Sequence, residues 1–281
     1  MALASAAGIV REPRRPAGWR APGPPPAGGA EPKHGEDLCY LAGDWRILQR
    51  IDGHRWSLDD LVTAWFAAGV MDGAAPARIA DLGCGIGAVL MLLAWRFPTA
   101  RLDGVEAQAM SVELARRSLA WNGIADRCRV WLGDLRDAAV GPAPATCDLV
   151  TGTPPYLRPG AATPARRVQC GPAHIAYRGG VAAYCAAAAR LLAPGGRFVA
   201  CAAAAQEAEV RRAAAAAGLA VVRRRDVVPR AGKAPLFMVF VTCHAIGAGP
   251  LQVEPPLVVR DESGARTDEF RALRATMGMP P

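Results

Sequence analysis

The sequence lacks any long uninterrupted run of apolar residues, although 52% of its 281 residues are hydrophobic. Its alanine-rich stretches are short or carry arginine and glutamate, whereas a membrane-spanning helix needs about 18 consecutive apolar residues. A chain of this length and composition can bury a full core. We therefore expect a soluble protein with one large domain and no membrane segment.

Paired cysteines are absent as well. None of the eight cysteines belongs to a CxxC pair, and the spacing of the cysteines and of the four histidines is unlike that of metal ligands. Isolated cysteines are typical small apolar core residues in proteins of reducing compartments. The pattern predicts neither a metal site nor disulfide bonds.

Lysine is nearly absent, since 31 of the 33 basic residues are arginine. The formal net charge of +8 and the isoelectric point near 9.4 favour an anionic partner, most commonly RNA or DNA for a basic domain of this size. A GC-rich genome would also produce an arginine- and alanine-rich composition. Charge alone therefore leaves a nucleic-acid partner and a compositional bias equally open.

Residues 1–36 are rich in proline, glycine and alanine, which is typical of a disordered segment. Four arginines and one acid up to Ala30 are compatible with an organelle transit peptide, and equally with a disordered extension of the reading frame. The apolar stretch is too short for a secretory signal. We expect residues 37–281 to form one domain in the cytoplasm or in an organelle, with a monomer favoured.

Short apolar runs alternate with helical patterns from about Arg78 onward, which predicts an α/β fold with a doubly wound, mostly parallel sheet of seven strands. The last two strands have no helix between them and should form an antiparallel hairpin at one edge. Pro194-Gly195-Gly196 is typical of a turn into the fifth strand. The predicted strands are Arg78–Leu82, Arg101–Glu106, Cys128–Leu132, Asp148–Gly152, Arg197–Cys201, Leu219–Val228 and Leu236–Cys243. The predicted helices are Ala88–Phe97, Ala109–Trp121, Val181–Leu192 and Ala204–Ala217.

A glycine-rich turn follows the first predicted strand, with Gly83, Gly85 and Gly87 after Asp81. Glycine permits positive φ angles and lets a ligand approach the backbone, and free amides at the following helix favour a polar or anionic group. A dinucleotide-binding loop has the spacing GxGxxG, which differs from the GxGxG found here. Because Asp81 also suits a cationic amine better than a pyrophosphate, NAD is the less favoured cofactor.

Acidic residues end the next two predicted strands. Glu106 ends the second strand and could accept both ribose hydroxyls of a nucleoside, because the carboxyl ends of the strands form the ligand crevice. Asp134 follows the third strand and could accept a hydrogen bond from an adenine amino group. Together with the glycine turn, the two acids predict a nucleoside cofactor.

The fourth predicted strand ends in Thr153-Pro154-Pro155-Tyr156 and should open onto the same crevice. The prolines fix the backbone and remove two amide donors, so that nearby carbonyls can face a ligand as acceptors. An aromatic side chain beside them can stack on a planar substrate. A proline pair after a strand is often only a loop, but its position downstream of a cofactor loop favours a site for a planar amine or amide.

The glycine turn and its acids resemble those of the class I S-adenosylmethionine-dependent methyltransferases. This resemblance implies S-adenosyl-L-methionine as the cofactor, with Asp81 and the glycines near its methionine part, Glu106 on the ribose and Asp134 at the adenine. The proline turn resembles the (N/D/S)PP(Y/F/W) motif of amino-group methyltransferases. That motif implies that Thr153 and the carbonyl after it accept the hydrogens of an exocyclic amine, and that Tyr156 stacks on a flipped-out base.

Residues 53–61, GHRWSLDDL, resemble the GxRxSxD segment of the bacterial tRNA adenine-N6 methyltransferases that act beside the anticodon of a valine tRNA. Residues 225–233 and 257–260 carry further matches, so that the resemblance spans about 45–275. It implies that Ser57 and Asp59 help to close the cofactor pocket. A helix N-cap with an acidic first turn is an equally good interpretation of this pair and is compatible with it.

Thr153 departs from this family, whose close bacterial members carry asparagine there. A threonine hydroxyl lies one bond closer to the backbone than an asparagine amide oxygen, and it can donate as well as accept. Three outcomes stay open: a deeper substrate pose with the same reaction, a different amino acceptor, or a weakened enzyme. The loss of one aligned acceptor costs about 2–4 kcal/mol of transition-state stabilisation if nothing compensates.

Basic residues after the proline turn are candidates for RNA contacts. Arg178 could contact a phosphate or the target base, or be a solvated loop charge. The densest basic cluster runs from Arg223 to Lys233 and includes Arg230, and it could follow an RNA backbone. Its first three arginines fit the exposed face of an edge strand slightly better.

We therefore expect an S-adenosylmethionine-dependent methyltransferase that acts on an exocyclic amino group, most specifically adenine N6 in tRNA. Methylation of a protein glutamine amide would use the same kind of turn, and a non-catalytic module that binds cofactor or RNA is a third interpretation because of Thr153. The basic charge favours RNA over protein. Catalysis by positioning would require neither a metal nor a general base with a shifted pKa.

Overall fold

The computed structural model of the protein describes residues 8–12, 14–71, 73–155 and 179–281. The strands within these ranges are β1 Ile9–Val10, β2 Glu36–Tyr40, β3 Arg46–Arg50, β4 Arg78–Leu82, β5 Arg101–Glu106, β6 Cys128–Leu132, β7 Cys147–Gly152, β8 Leu192–Ala203, β9 Leu219–Val228, β10 Phe237–His244 and β11 Gln252–Val258. The helices are α1 Leu58–Val70, α2 Ala88–Arg96, α3 Ala109–Trp121, α4 Val181–Leu191, α5 Glu207–Ala216 and α6 Asp268–Thr276, with a short 3-10 helix at Ala204–Gln206.

An eight-stranded sheet with the order β11-β9-β10-β8-β7-β4-β5-β6 forms the centre of the fold. Strands β8, β7, β4, β5 and β6 pair in parallel, and β10 runs antiparallel to its neighbours β8 and β9. The predicted doubly wound α/β fold is confirmed. Because these parallel strands share one direction, the carboxyl ends of β4, β5, β6 and β7 lie along the same edge of the sheet.

The sheet has one strand more than the sequence predicts, and its edge is built differently. Strands β9 and β10 do form an antiparallel pair, but β10 lies between β8 and β9, and β11 covers β9 as a parallel edge strand. The sequence does not indicate β11, because Pro255 and Pro256 cannot donate hydrogen bonds to a sheet ladder and so argue against a strand. Both prolines fall in a register shift between Glu254 and Leu257, which an edge strand tolerates.

Strand β8 begins earlier than predicted and includes the Pro194-Gly195-Gly196 segment that the sequence places in a turn. Its pairing with β7 jumps from Leu192 opposite Cys147 to Arg197 opposite Leu149. The proline and glycines therefore occupy an irregular bulge within the strand, and Gly195 has the positive φ of 80° that such a bulge requires.

The core lies in two layers, one on each face of the sheet. Residues from α1, α2 and α3 pack on one face, whereas residues from α4 and α5 pack on the other. Alternate residues of β8 serve the two layers, with Val199 on the first and Phe198 and Ala200 on the second. Seven cysteines in the described part of the chain are free and buried, which matches their predicted role as small core residues.

Residues 8–12 and 14–36 of the N-terminal segment contact the rest of the chain. Strand β1 pairs in parallel with β2, which forms a three-stranded sheet with β3. The Arg11 side chain pairs with the buried Asp37, and the Gly28 amide donates to the Trp121 carbonyl at 2.9 Å. Contacts to α3 and to the small sheet thus hold a proline-rich segment that has little regular structure of its own.

No helix among the described residues is long and apolar enough to cross a membrane.

Candidate functional site

One cavity opens at the carboxyl ends of β4, β5 and β7, between the glycine turn and the amino end of α1. It brings together sequence-predicted residues from both halves of the expected site: Ser57, Asp59, Gly83, Gly85, Glu106, Asp134, Thr153, Pro154 and Pro155. Two of these sequence-predicted residues, Ser57 and Pro155, are 98 positions apart in the chain and yet line the same space.

The glycine loop, residues 83–87, crosses from β4 to α2 with φ angles of 54° to 88° at its three glycines. The Cys84 amide donates to the Val105 carbonyl at 3.0 Å, and the Gly85 amide donates to Glu106 Oε2 at 3.0 Å. These bonds fix the loop against the end of β5. Gly87 does not line the cavity but serves as the N-cap of α2.

Glu106 is 7% exposed and lines the cavity beside the glycine loop. The part of the cavity lined by the glycine loop, Glu106 and Asp134 is called the cofactor half. Its second oxygen, Oε1, accepts a hydrogen bond from the Gln108 amide at 2.7 Å, so each carboxylate oxygen already holds one backbone amide.

Asp134 lies at the rim of the same half and holds Arg136. The Arg136 backbone amide and its side-chain Nε each donate to Asp134 Oδ1 at 2.9 Å, and Nη2 donates to Oδ2 at 2.7 Å. The hydrogen bonds and charge of Asp134 raise the pKa of Arg136. An adenine amino group at Asp134 would therefore share the carboxylate with a guanidinium.

The N-terminal start of α1 contributes a second group of acids. Ser57 is the N-cap of α1, as the sequence predicts, and its backbone amide donates to Asp60 Oδ2 at 2.9 Å, while its hydroxyl donates to Asp59. Burial, reinforced by the charge of Asp59, raises the pKa of Asp60 well above its ordinary value. Asp60 also lines the cavity, and the helix-cap pattern was the only sequence signal for it.

Asp81 lies behind the cavity wall, although the family resemblance associates it with the cofactor. It is 2% exposed, and its Oδ1 accepts a hydrogen bond from Thr151 Oγ1 at 2.8 Å. Burial raises its pKa to about 7, and the charge of Glu106 adds to the increase. Its Oδ2 has no hydrogen-bond partner among the described residues. Asp81 thus links β4 to β7 beneath the site.

The substrate half consists of Thr153, Pro154 and Pro155, which follow β7 directly and line the cavity. Strands β7 and β4 are neighbours, with Gly152 paired to Leu82, so the proline turn begins beside the glycine loop. Tyr156 and Arg178, the predicted stacking and phosphate-binding residues, lie outside the described residues.

The arginine cluster splits into two groups with different surroundings. In β9, Arg223 pairs with Glu254, Arg224 pairs with Asp226 at 2.9 Å, and Arg225 pairs with Glu269 at 2.6 Å. The sequence favours an exposed edge-strand face for these three arginines, and this is wrong because β9 lies between β10 and β11. Arg230 and Lys233 follow the carboxyl end of β9, which runs parallel to β8 and β7. They therefore lie on the cavity side of the sheet, that is, at the edge where the carboxyl ends of the parallel strands meet. Neither residue lines the cavity itself.

Several cavity residues are not predicted as site residues from the sequence, although His54 lies in the segment 53–61 and Cys84 in the glycine loop. They are His54, Cys84, Gln108, Ser111, Leu135, Gly179 and Tyr184. Burial raises the pKa of the Cys84 thiol, which keeps it neutral, and the neighbouring acids act in the same direction. Tyr184 comes from α4, about 100 residues along the chain from the glycine loop, so that only the tertiary structure connects the two.

The charges of the wall decide which ligands fit. Among the lining residues of the described chain, Asp59, Asp60, Glu106 and Asp134 carry carboxyl groups, and none is lysine or arginine. Such a wall repels a pyrophosphate and suits a nucleoside with cationic groups. No group of three or more His, Cys, Asp or Glu side chains within the described ranges is arranged to hold a metal ion.

A family model described as methyltransferase small domain matches residues 60–170. The chain is 31% identical over 109 residues to the tRNA1(Val) (adenine(37)-N6)-methyltransferase of Porphyromonas gingivalis, a match that covers 38% of this chain and 42% of that protein. It is 31% identical over 131 residues to the ribosomal protein uL3 glutamine methyltransferase of Bordetella pertussis, which covers 42% of this chain and 41% of that protein. The match thus spans less than half the length of each of these relatives.

A solved structure of a predicted O-methyltransferase from Agrobacterium tumefaciens has a TM-score of 0.61 to this chain at 22% identity, and the match covers 79% of this chain and 98% of that one. A likeness at this identity establishes the fold. S-adenosyl-L-methionine, the cofactor that the family implies, is a nucleoside with a sulfonium and an ammonium group, and the acidic wall fits both cations. The chain shares the fold of that solved structure, and its residues 60–170 match the model of the methyltransferase small domain.

Proposed function

We propose that the protein transfers the methyl group of S-adenosyl-L-methionine to an exocyclic amino group, specifically adenine N6 in tRNA. The observation that carries this proposal is the single cavity shared by the glycine loop with Glu106 and by the turn Thr153-Pro154-Pro155. A cofactor site and an amine site must adjoin for direct group transfer, and neighbouring strands β4 and β7 provide that arrangement here.

The cofactor half would hold the nucleoside through its acids. When bound, S-adenosyl-L-methionine supplies a methyl group activated by a sulfonium. The Glu106 oxygens would accept the ribose hydroxyls while keeping the Gly85 and Gln108 amides. Asp134 would accept from the adenine amino group beside Arg136.

The substrate half would orient the amine. Proline lacks an N–H, so the turn presents no competing amide donor at Pro154 or Pro155. Thr153 Oγ1 and the Pro154 carbonyl are therefore the acceptors for the amine hydrogens, which leaves the nitrogen lone pair free to face the cofactor half. The chain contributes alignment, with no charged base at the turn.

RNA is favoured as the substrate by charge and by similarity. The net charge is +8, and Arg230 and Lys233 lie on the cavity side without an ion-pair partner among the described residues. The relative in P. gingivalis is named as a tRNA adenine-N6 methyltransferase. Phosphate contacts of this kind position an RNA without reading its sequence.

A protein glutamine amide is the second candidate acceptor, because the relative in B. pertussis is named as a glutamine methyltransferase. A planar primary amide presents two hydrogens in the same way as an adenine amine. A third candidate, a non-catalytic module that binds cofactor or RNA, is motivated by Thr153 in place of asparagine.

Incubation of the purified protein with methyl-labelled S-adenosyl-L-methionine and total RNA tests the proposal. We expect label in RNA and, after digestion to nucleosides, in N6-methyladenosine. Label in another nucleoside would overturn the adenine assignment, and label in added ribosomal or release-factor protein would favour the glutamine candidate. Tight cofactor binding without transfer to either acceptor would support the non-catalytic module. Glu106→Ala serves as the background control, since it removes the proposed ribose acceptor.

A further inference from the structure

Tyr184 lies between the two halves of the cavity. It is the fourth residue of α4, is 6% exposed and lines the cavity. Its ring belongs to the core layer that also holds Leu82 of β4 and Val150 of β7. Neither its helix nor its sequence context resembles a known functional motif, so that its role must come from its contacts.

Two glycines make room for this ring. A Cβ atom added to Gly83 would lie 2.0 Å from the Tyr184 hydroxyl oxygen and 3.0 Å from Cζ. One added to Gly152 would lie 2.7 Å from Cδ1 and 3.0 Å from Cε1. Side-chain atoms do not approach so closely, so the ring occupies the space that both missing side chains would need. The phenol therefore spans from the residue before Thr153 to the first glycine of the cofactor loop.

The hydroxyl of Tyr184 is at the glycine-loop end of this span. Burial raises the pKa of Tyr184, and the charges of Glu106 and Asp81 add to the increase. The phenol therefore stays protonated, and it adds no further negative charge to a wall that already carries four carboxyl groups. A neutral, rigid ring is suited to fix a distance, because a phenol has few rotatable bonds and cannot collapse as an aliphatic chain can.

We propose that Tyr184 is a positioning residue for methyl transfer, and that its ring sets the separation between the glycine loop and the proline turn. The inference rests on the proposed transfer reaction. Displacement of a reacting group by about 1 Å can lower a rate about 100-fold without abolishing binding. The ring should therefore matter more for turnover than for cofactor affinity, whereas the hydroxyl should matter little for either.

Three variants separate the ring from the hydroxyl and from general stability. Tyr184→Phe keeps the ring, Tyr184→Leu removes it, and Phe240→Leu removes a fully buried ring from the same core layer without touching the cavity. We expect Tyr184→Phe to keep kcat within about threefold, and Tyr184→Leu to lower kcat about 100-fold while the Kd for S-adenosylhomocysteine stays within about tenfold. Phe240→Leu should lower the unfolding temperature with kcat kept within about threefold.

Gly152→Ala provides a test that does not require loss of the ring. The φ angle of Gly152 is not in the left-handed region, so the backbone accepts an alanine at this position. The added methyl group would collide with the ring of Tyr184, and we therefore expect kcat to fall about tenfold or more. In a Tyr184→Leu background the same substitution should lower kcat by no more than about threefold, because the rigid ring is gone and the flexible leucine side chain can turn away from the added methyl group. The rates are compared per folded protein, with the folded fraction of each variant checked by circular dichroism, because an effect on folding alone would leave the kcat of the folded fraction unchanged.

Equal kcat values for Tyr184→Leu and the unsubstituted protein would overturn the inference, as would additive effects of Gly152→Ala and Tyr184→Leu. A loss of cofactor affinity that accounts for the whole loss of turnover would also overturn it, since the ring would then only support the glycine loop. All rates refer to whichever acceptor, RNA or glutamine protein, the unsubstituted protein methylates. If it methylates neither, the proposed function fails, and with it the step that Tyr184 would position.

Discussion

The two halves of the cavity are built on different principles. The cofactor half combines a fixed backbone with several acids. Two backbone amides of the glycine loop donate hydrogen bonds to β5. The acids that line this space are Asp59, Asp60, Glu106 and Asp134. Among the described residues, the substrate half presents two prolines without backbone donors and the side chain of Thr153. The cofactor half thus offers several polar contacts, whereas the described part of the substrate half offers the Thr153 hydroxyl and the carbonyls of the turn.

We therefore expect the two halves to tolerate substitution differently. A ligand held by several carboxylates and amides keeps part of its binding free energy when one contact changes. An amine aligned by one hydroxyl and one carbonyl does not, because transfer depends on orientation. The following substitutions test the contrast, starting beneath both halves and ending at the outer surface.

The largest effect should come from Asp81, which joins β4 to β7 under the cavity. Its pKa of about 7, above the ordinary 3.8, means that the folded chain keeps a proton that the unfolded chain loses. The contribution of Asp81 to the free energy of unfolding should therefore fall as pH rises from about 4 to about 7, by at most about 4 kcal/mol, and then level off. Chemical denaturation of the cofactor-free protein at several pH values measures this.

Asp81→Asn should remove this part of the pH dependence, since the amide does not titrate. The exposed Asp137→Asn is the matched control and should keep the profile of the unsubstituted protein. If Asp81→Asn retains the full decrease between about pH 4 and pH 7, then the titrating group lies elsewhere.

Glu106→Ala should weaken the cofactor half most strongly. It removes the acceptor of the Gly85 and Gln108 amides and the proposed acceptor of the ribose. We expect the Kd for S-adenosylhomocysteine to rise about 100-fold, or about 2.7 kcal/mol, by isothermal titration calorimetry. Glu106→Gln keeps one oxygen acceptor and should lose less. An unchanged Kd in Glu106→Ala would place the nucleoside elsewhere.

Thr153→Asn should change the substrate half alone. The longer amide oxygen can reach an amine that the threonine hydroxyl meets less directly, so we expect turnover on RNA to rise about tenfold while cofactor affinity stays constant. Thr153→Val, which removes the hydroxyl at nearly constant shape, is the control and should lower turnover. A tenfold change in cofactor affinity, about 1.4 kcal/mol, would contradict the assignment of Thr153 to the substrate half.

The smallest effect should come from the outer surface. Arg230→Ala combined with Lys233→Ala should weaken RNA binding about tenfold at low salt and reduce the salt dependence of the Kd, because two phosphate contacts are lost. Arg211→Ala combined with Arg212→Ala removes the same charge from α5 and should have a smaller effect. Equal losses in both double variants would show that only the net charge matters.

The sequence was sufficient for features that depend on local chemistry. Glycine spacing after an apolar strand, acids at strand ends and a proline pair after β7 each have a short-range cause, and the structure brings Gly83, Glu106 and Thr153 to one cavity. Short-range reasoning did not predict the ion pairs of Arg223 and Arg225. Their acidic partners Glu254 and Glu269 are 31 and 44 residues away, on elements that no local pattern assigns to β9.

The amino-acid sequence by itself determined the alternation of strands and helices, and hence the direction of the strands and the edge at which a site can form. Only the tertiary structure decided that β10 lies between β8 and β9, that residues 8–12 and 14–36 pack along the small sheet and α3, and that Tyr184 fills the space beside Gly83 and Gly152. The reason is physical: periodicity and turn chemistry act over a few residues, whereas strand order and side-chain packing depend on the shape of the whole core.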